Sequence, residues 1–160
     1  MKTPALISTI IFTLVFSLHP FAQTIAAKSK PVKDTTASKL VIKFGPYADS
    51  SKVPAGVIKQ IIKSDLKITD NKGVVYTIIG FSFSWKRKDI TDNFKTGTPK
   101  TIFLYNSVDV KADTHVPASW QEEIKENVQA KEELRFDEIL AQNPKTKKLY
   151  KPAPLTLFVL

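Results

Sequence analysis

The chain of 160 residues contains no cysteine. That excludes disulfide staples, thiol nucleophiles and thiolate metal sites together, so stability has to come from packing. Glycine is scarce, with 5 residues against 10 prolines, and there is no internal repeat or dominant low-complexity tract. Arginine is nearly missing: of 24 basic residues only Arg87 and Arg135 are arginines. Arginine is the preferred side chain for bidentate phosphate contacts. The net charge of +9 is therefore a lysine charge with no nucleic-acid motif beside it, which argues against nucleic-acid binding. It describes a surface that meets acidic partners weakly.

No uncharged run reaches the roughly 20 apolar residues that a membrane span needs. The longest, Ala5 to Leu18, follows Met1-Lys2 and precedes the small residues Ala22, Ala26 and Ala27. A short positive start, an apolar stretch and small residues together predict a secretory signal peptide over 1–23, cleaved between Ala22 and Ala27. The exported chain then loses Lys2 and carries 23 basic against 15 acidic residues. It has no transmembrane segment, and its expected place is the periplasm or the cell surface. Residues 24–39 are polar and lysine-rich and read as a flexible leader. Residues 40–160 are 42% hydrophobic territory for one packed domain, the percentage being that of the whole chain.

Within that domain the pattern is mostly β. Leu40–Phe44 reads as a strand broken by Gly45-Pro46-Tyr47. Val57, Ile58, Ile61 and Ile62 line one face of a short helical turn. Leu66–Thr69 and the stretch after Asn71-Lys72-Gly73 read as a hairpin. Val74–Lys86 is the longest strand, with Val75, Thr77, Ile79, Phe81, Phe83 and Trp85 on one apolar face. Its first half is expected to be covered on both sides. Lys86–Lys100 reads as a charged connection. Thr101–Ala112 is the next strand, with Asn106 interrupting its apolar parity and suggesting a bulge or an edge. Pro117 starts a helix whose stripe is Trp120, Ile124 and Val128. Leu134–Leu140, Leu149-Tyr150 and Leu155–Leu160 are further strands, with a turn at Asn143–Thr146. The expected fold is a mainly β, antiparallel, sandwich-like single domain with one amphipathic helix and one short helical turn.

Catalytic parts are sparse. After the leader the one histidine is His115, without a second histidine or any cysteine to share a zinc ion or assist a nucleophile. Carboxylates pair at Glu122/Glu126, Asp109/Asp113, and Glu132-Glu133 with Asp137-Glu138, all read as solvated faces. Calcium-loop, phosphate-loop and hydrolase motifs do not occur. The aromatics Phe81, Phe83 and Trp85 continue an apolar face and read as core. No cofactor is expected.

Several short motifs occur in a telling order. They are Phe44-Gly45-Pro46-Tyr47, Val53-Pro54-Ala55, Ile78-Ile79-Gly80-Phe81-Ser82-Phe83, the acidic helix from Pro117 to Val128, Arg135-Phe136-Asp137-Glu138-Ile139, and Asn143 to Leu155. In this sequence and spacing the chain resembles the C-terminal domain of GldM/PorN-type proteins, which form the periplasmic shaft of Bacteroidetes gliding motility and type IX secretion. Gly80 stands where that family has serine, and Asn143 and Thr146 stand where it has glycines. The resemblance implies a β-rich module without a catalytic site that docks envelope proteins, outer-membrane-associated ones among them, and that can form a homodimer. The residues expected to carry docking are Lys86, Arg87, Lys88, Lys145, Lys147 and Lys148 at the charged ends of the sheet. Two other classes stay in view: a small secreted hydrolase using acidic residues such as Asp109 or Asp137, and a basic glycan-binding domain.

Overall fold

Gly45 adopts a left-handed conformation, φ +55°, and turns the chain sharply after the first strand, β1 (Val41–Phe44). A computed structural model describes residues 40–92 and 97–160. In order, β1 is followed by β2 (Ser51–Val53), α1 (Ala55–Ile61), β3 (Leu66–Thr69), β4 (Thr77–Asp92), β5 (Pro99–Lys111), α2 (Ala118–Asn127), β6 (Glu133–Gln142), β7 (Leu149–Tyr150) and β8 (Leu155–Val159). The protein is mainly β and forms one domain, as its periodicities predict.

β1 and β3 make a two-stranded antiparallel sheet. The larger sheet runs β2-β8-β6-β4-β5, with β7 paired to β6. All its pairs are antiparallel except β2 with β8. One face of this sheet carries the core. Phe83 meets Trp120 edge-on at 5.6 Å and Phe136 at 5.1 Å between ring centroids, and Phe44 of the small sheet lies 4.8 Å from Phe136. The stripe Ile124 and Val128 of α2 is buried there, with Trp120 packed beside it. The other face is open to solvent, as Ser82, Ser84 and Arg135 show by being only partly or not buried.

The long apolar parity expected of β4 does not persist. Phe81, Phe83 and Trp85 are buried, but Val75 is 60% exposed and Thr77 and Ile79 are exposed too. Upstream, Tyr76 and Ile78 point into the core instead. The inward parity switches at Gly80, where pairing with β6 shifts register twice. β6 switches at the same level, from Leu134 and Phe136 to Ile139 and Ala141, with Glu138 at φ +47°. Each strand carries one extra residue, so Ile78 faces Ala141 before the irregularity and Ser82 faces Asp137 after it, in the same register. Gly80 is needed there, because a Cβ would lie 2.8 Å from the Val110 carbonyl oxygen. The first half of β4 is therefore covered on one side only, not on both.

Other expectations are adjusted in detail. The turn at Asn71–Gly73 forms: the Asp70 carboxylate accepts from the Lys72 and Val74 amides, and Gly73 has φ +78°. The hairpin is short: around the Thr69–Val75 bridge the Asp70 amide donates to the Val74 carbonyl and the Tyr76 amide to the Ile68 carbonyl, while the longer ladder of β3 is with β1. Lys86–Lys100 is no mere connection. β4 continues through Lys86 to Asp92 and β5 begins at Pro99. β5 is an edge strand as Asn106 suggested, but its ladder with β4 runs without a bulge. β2 has no signal in the sequence; it is three residues long and held by β8. The expected signal peptide and leader lie outside the described residues, and among the described residues no helix is long and apolar enough to cross a membrane.

Candidate functional site

β6 accompanies β4 from Thr77 up to Lys86 and ends there, where Lys86 faces Glu133. From Arg87 to Asp92 β4 has only β5 for company, so six residue pairs project as a two-stranded arm of roughly 20 Å. Backbone groups on the side that β6 abandons need new partners. The side chain of Glu132 supplies them. It is 1% exposed and accepts hydrogen bonds from the Lys88 amide at 2.8 Å, the Trp85 indole Nε1 at 2.9 Å and the Gln129 amide at 3.1 Å. Three N–H donors hold this carboxylate, and among the described residues no cation is paired with it. Two residues on, the Asp89 carboxylate accepts from the Ile90 amide at 2.8 Å. Glu132 is thus the opposite of the solvated acid its sequence neighbourhood suggested. Its role depends on contacts 44 and 47 residues away, which no local pattern displays.

The other side of the arm is β5, thirteen residues long and, among the described residues, paired only with β4. The hydrogen bond from the Ala112 amide to the Ile79 carbonyl fixes its phase. Even-numbered residues of β5 bond back to β4, so Thr101, Phe103, Tyr105, Ser107 and Asp109 aim their backbone N–H and C=O groups outward. From Ile102 to Val108 the strand carries no charge. Phe103 and Leu104 are each 39% exposed and Tyr105 71%, with Ile90 of β4 close by at 65%. Exposed edges are ordinarily blunted by lysine, proline, bulges or shortness. The middle of β5 has none of these.

The structure places the six candidate docking residues in two separate groups. Lys86 is committed to its own fold: Nζ lies 2.5 Å from Glu133 and 5.0 and 5.8 Å from the ring centroids of Phe103 and Tyr105. The hydrogen bond to Glu133 holds its pKa above the ordinary lysine value. Arg87 pairs with Glu123 of α2 at 3.0 Å and lies over the Trp85 ring. Lys88 gives its amide to Glu132. Lys145, Lys147 and Lys148 occupy an exposed turn ordered by Asn143, whose side chain accepts from the Lys145 and Thr146 amides. Lys147 there has φ +58°. That turn follows Gln142, which faces Thr77, nine residues from Lys86 along β4. The two groups are about 30 Å apart and form no common surface.

The acidic and histidine candidates are also accounted for. His115 sits between two carboxylates, Nδ1 2.9 Å from Asp113 and Nε2 3.0 Å from Asp65. The hydrogen bond from His115 holds the Asp113 pKa below its ordinary value. Thr114 donates to Asp65 at 2.8 Å and its carbonyl accepts from the Leu66 amide. This cluster ties the loop before α2 to the start of β3; the sequence showed His115 but not Asp65. Glu122 pairs with Lys63, Asp137 with Arg135 and Glu138 with Lys151, while Glu126 stays exposed. Asp109 and Glu138 line a wide, open groove beside Gly80. Among the described residues no group of three histidine, aspartate or glutamate side chains is placed to hold a metal ion. Compared with known protein families, curated proteins and solved structures, the chain matches none.

Proposed function

We propose that this protein is a non-catalytic protein-binding module of the cell envelope, as its resemblance to the terminal domain of the GldM/PorN-type shaft implies. The observation that supports this reading is the β5 edge: long, regular, uncharged in its middle and lined by Phe103, Leu104 and Tyr105. Strand addition to such an edge gives affinity through main-chain hydrogen bonds and specificity through alternate side chains. Docking therefore centres on the arm, with the lysine turn at Lys145–Lys148 steering an acidic partner from outside the contact. The direct use of Lys86 and Arg87 is not part of this proposal, since both side chains are engaged by Glu133 and Glu123.

The test is affinity capture from an envelope extract with the unaltered protein and with Tyr105→Lys. A lysine at that exposed position blunts the edge without touching the core. The expected result is loss of the captured protein with Tyr105→Lys and retention with Lys125→Ala on the solvent face of α2. Capture that survives Tyr105→Lys unchanged would remove β5 as the recognition element. Intact-mass measurement of the envelope-borne protein tests the export expectation: its N-terminus should fall between residues 22 and 27.

A further inference from the structure

We infer that one occupant of the β5 edge is a second copy of the same strand, paired antiparallel about a twofold axis at Leu104. This inference rests on the reading of β5 as a recognition edge and adds what fits it.

A symmetric antiparallel pair must set residues of equal parity opposite each other, because opposed side chains share a face. The backbone phase of β5 adds a second condition, since only odd-numbered residues have outward hydrogen-bonding groups. With Leu104 on the axis both conditions hold. Phe103 then faces Tyr105 of the second copy, and the reverse, both as hydrogen-bonded pairs. Thr101 faces Ser107, Ile102 faces Asn106, and Leu104 faces itself. Aromatic pairs and Thr–Ser pairs are among the favourable cross-strand combinations. All three exposed apolar residues of β5 gain an apolar cross-strand neighbour in this register.

The charges fit the same register. Lys100 falls opposite Val108, Asp109 opposite Pro99 and Lys111 opposite Gly97, so no like charges meet. Along β4, Lys88 faces Phe103 and Lys86 faces Tyr105. Each Phe103–Tyr105 pair across the axis is therefore bracketed by Lys88 of one copy and Lys86 of the other. Lys86 already lies within cation–π reach of both rings. Glu133 offsets the charge of Lys86. Of the neighbouring symmetric centres, Tyr105 sets Phe103 against Ser107 and Leu104 against Asn106, which leaves apolar residues facing polar ones, and Phe103 sets Tyr105 against Thr101, which leaves Tyr105 without an aromatic partner. Twofold contacts of one patch with itself are the commonest route to soluble oligomers.

The absence of cysteine makes a direct geometric test available. Leu104→Cys sets two thiols at a non-hydrogen-bonded position, with Cα atoms about 4.5 Å apart, within disulfide range. Tyr105→Cys sets its two thiols two residues out of register, beyond the roughly 7 Å that a disulfide bridges. The purified protein is examined by sedimentation velocity over a range of concentrations, and the two variants are mildly oxidised. The expected outcome is concentration-dependent dimer, abolished by Tyr105→Lys, and covalent dimer from Leu104→Cys alone. Crosslinking of Tyr105→Cys with none at Leu104→Cys would overturn the register. A monomer at every concentration with no crosslink would overturn the second copy as occupant. If that monomer still captures an envelope protein in a Tyr105-dependent way, the docking edge stands and only this occupant fails; if it captures nothing, both fail.

Discussion

The two sides of the β4–β5 arm face the same problem and solve it differently. Where β6 ends, β4 meets carboxylates: Glu132 takes the Lys88 amide and Asp89 takes the Ile90 amide. Along β5, nothing comparable is present among the described residues from Ile102 to Val108, and the side chains there are neutral and exposed or half-buried. Burying a carboxylate is costly unless it is fully hydrogen-bonded. The fold meets that condition at Glu132 to close one edge and does nothing of the kind for the other. An open edge on this arm is therefore a local feature of β5 and not a general consequence of projecting from the sheet.

The strongest test of the division between body and arm is truncation at two positions of β4, one on the core face of the body and one on the arm. Phe83 is fully buried against Trp120 and Phe136, so Phe83→Ala is expected to cost about 3–5 kcal/mol by chemical denaturation. Ile90, on the arm of the same strand, is expected to change stability by no more than about 0.5 kcal/mol when replaced by alanine. Similar costs at the two positions would mean that the arm packs on something other than β5, and the body–arm distinction would fail.

Glu132 carries the next largest effect. Glu132→Ala orphans the Lys88 amide and the Trp85 indole together, and leaving buried donors unsatisfied costs about 1–3 kcal/mol each. The two are relieved in part by water, so a total of about 2–3 kcal/mol is expected. Hydrogen exchange sharpens the point: the Lys88 amide should lose protection in this variant, whereas the Ile102 and Leu104 amides, which bond to β4, should keep theirs. Equal loss on both sides would show that Glu132 supports the whole arm and does not cap one edge.

What the sequence displayed and what it hid follow the reach of each interaction. Ile124 and Val128 at helical spacing, and Phe81, Phe83 and Trp85 at strand spacing, announce their burial because periodicity is a local property. The inversion at Gly80 is invisible in β4 alone. Val75 and Ile79 look like the same apolar face, and only the matching extra residue at Glu138, nearly sixty positions on, turns them outward. The polar run from Lys86 looks like a loop for a related reason. A ribbon wet on both faces has no apolar alternation, and only its partner strand makes it a strand. Lys86 and Arg87 looked available for a partner, because Glu133 and Glu123 are distant in sequence. The docking edge itself was half legible: Asn106 marked an edge, and the uncharged run beside it can be read directly from the chain.

Acid should weaken the body before it alters the arm. Among the described residues four carboxyls are held below their ordinary pKa values, and all four lie off the arm. At Asp49 burial pushes the other way, but hydrogen bonds from the Thr156 and Ser50 groups outweigh it. Hydrogen bonds from His115, Lys63 and Lys151 lower Asp113, Glu122 and Glu138 respectively. A depressed folded pKa means that the unfolded chain binds more protons, so these groups stabilise the fold above the ordinary carboxylate range. That contribution is lost as pH falls from about 5 through the folded values. The melting temperature should therefore decline over this interval. A flat or rising profile would mean that these exposed pairs contribute nothing measurable.

The smallest effect is expected at the lysine turn, and it separates steering from docking. Reversing Lys145, Lys147 and Lys148 to glutamate alters an exposed loop whose order comes from Asn143, so stability should move by no more than about 0.5 kcal/mol. The turn lies at the opposite end of the sheet from the arm, so a partner held at β5 would feel it mainly through long-range field. Such a field speeds association and is largely screened beyond about 10 Å at 0.1 M salt. Binding measured at low salt should then show a slower on-rate with an unchanged off-rate, and the difference should vanish at high salt. An increased off-rate that persists in high salt would place the lysine turn inside the contact and shift the centre of recognition away from β5.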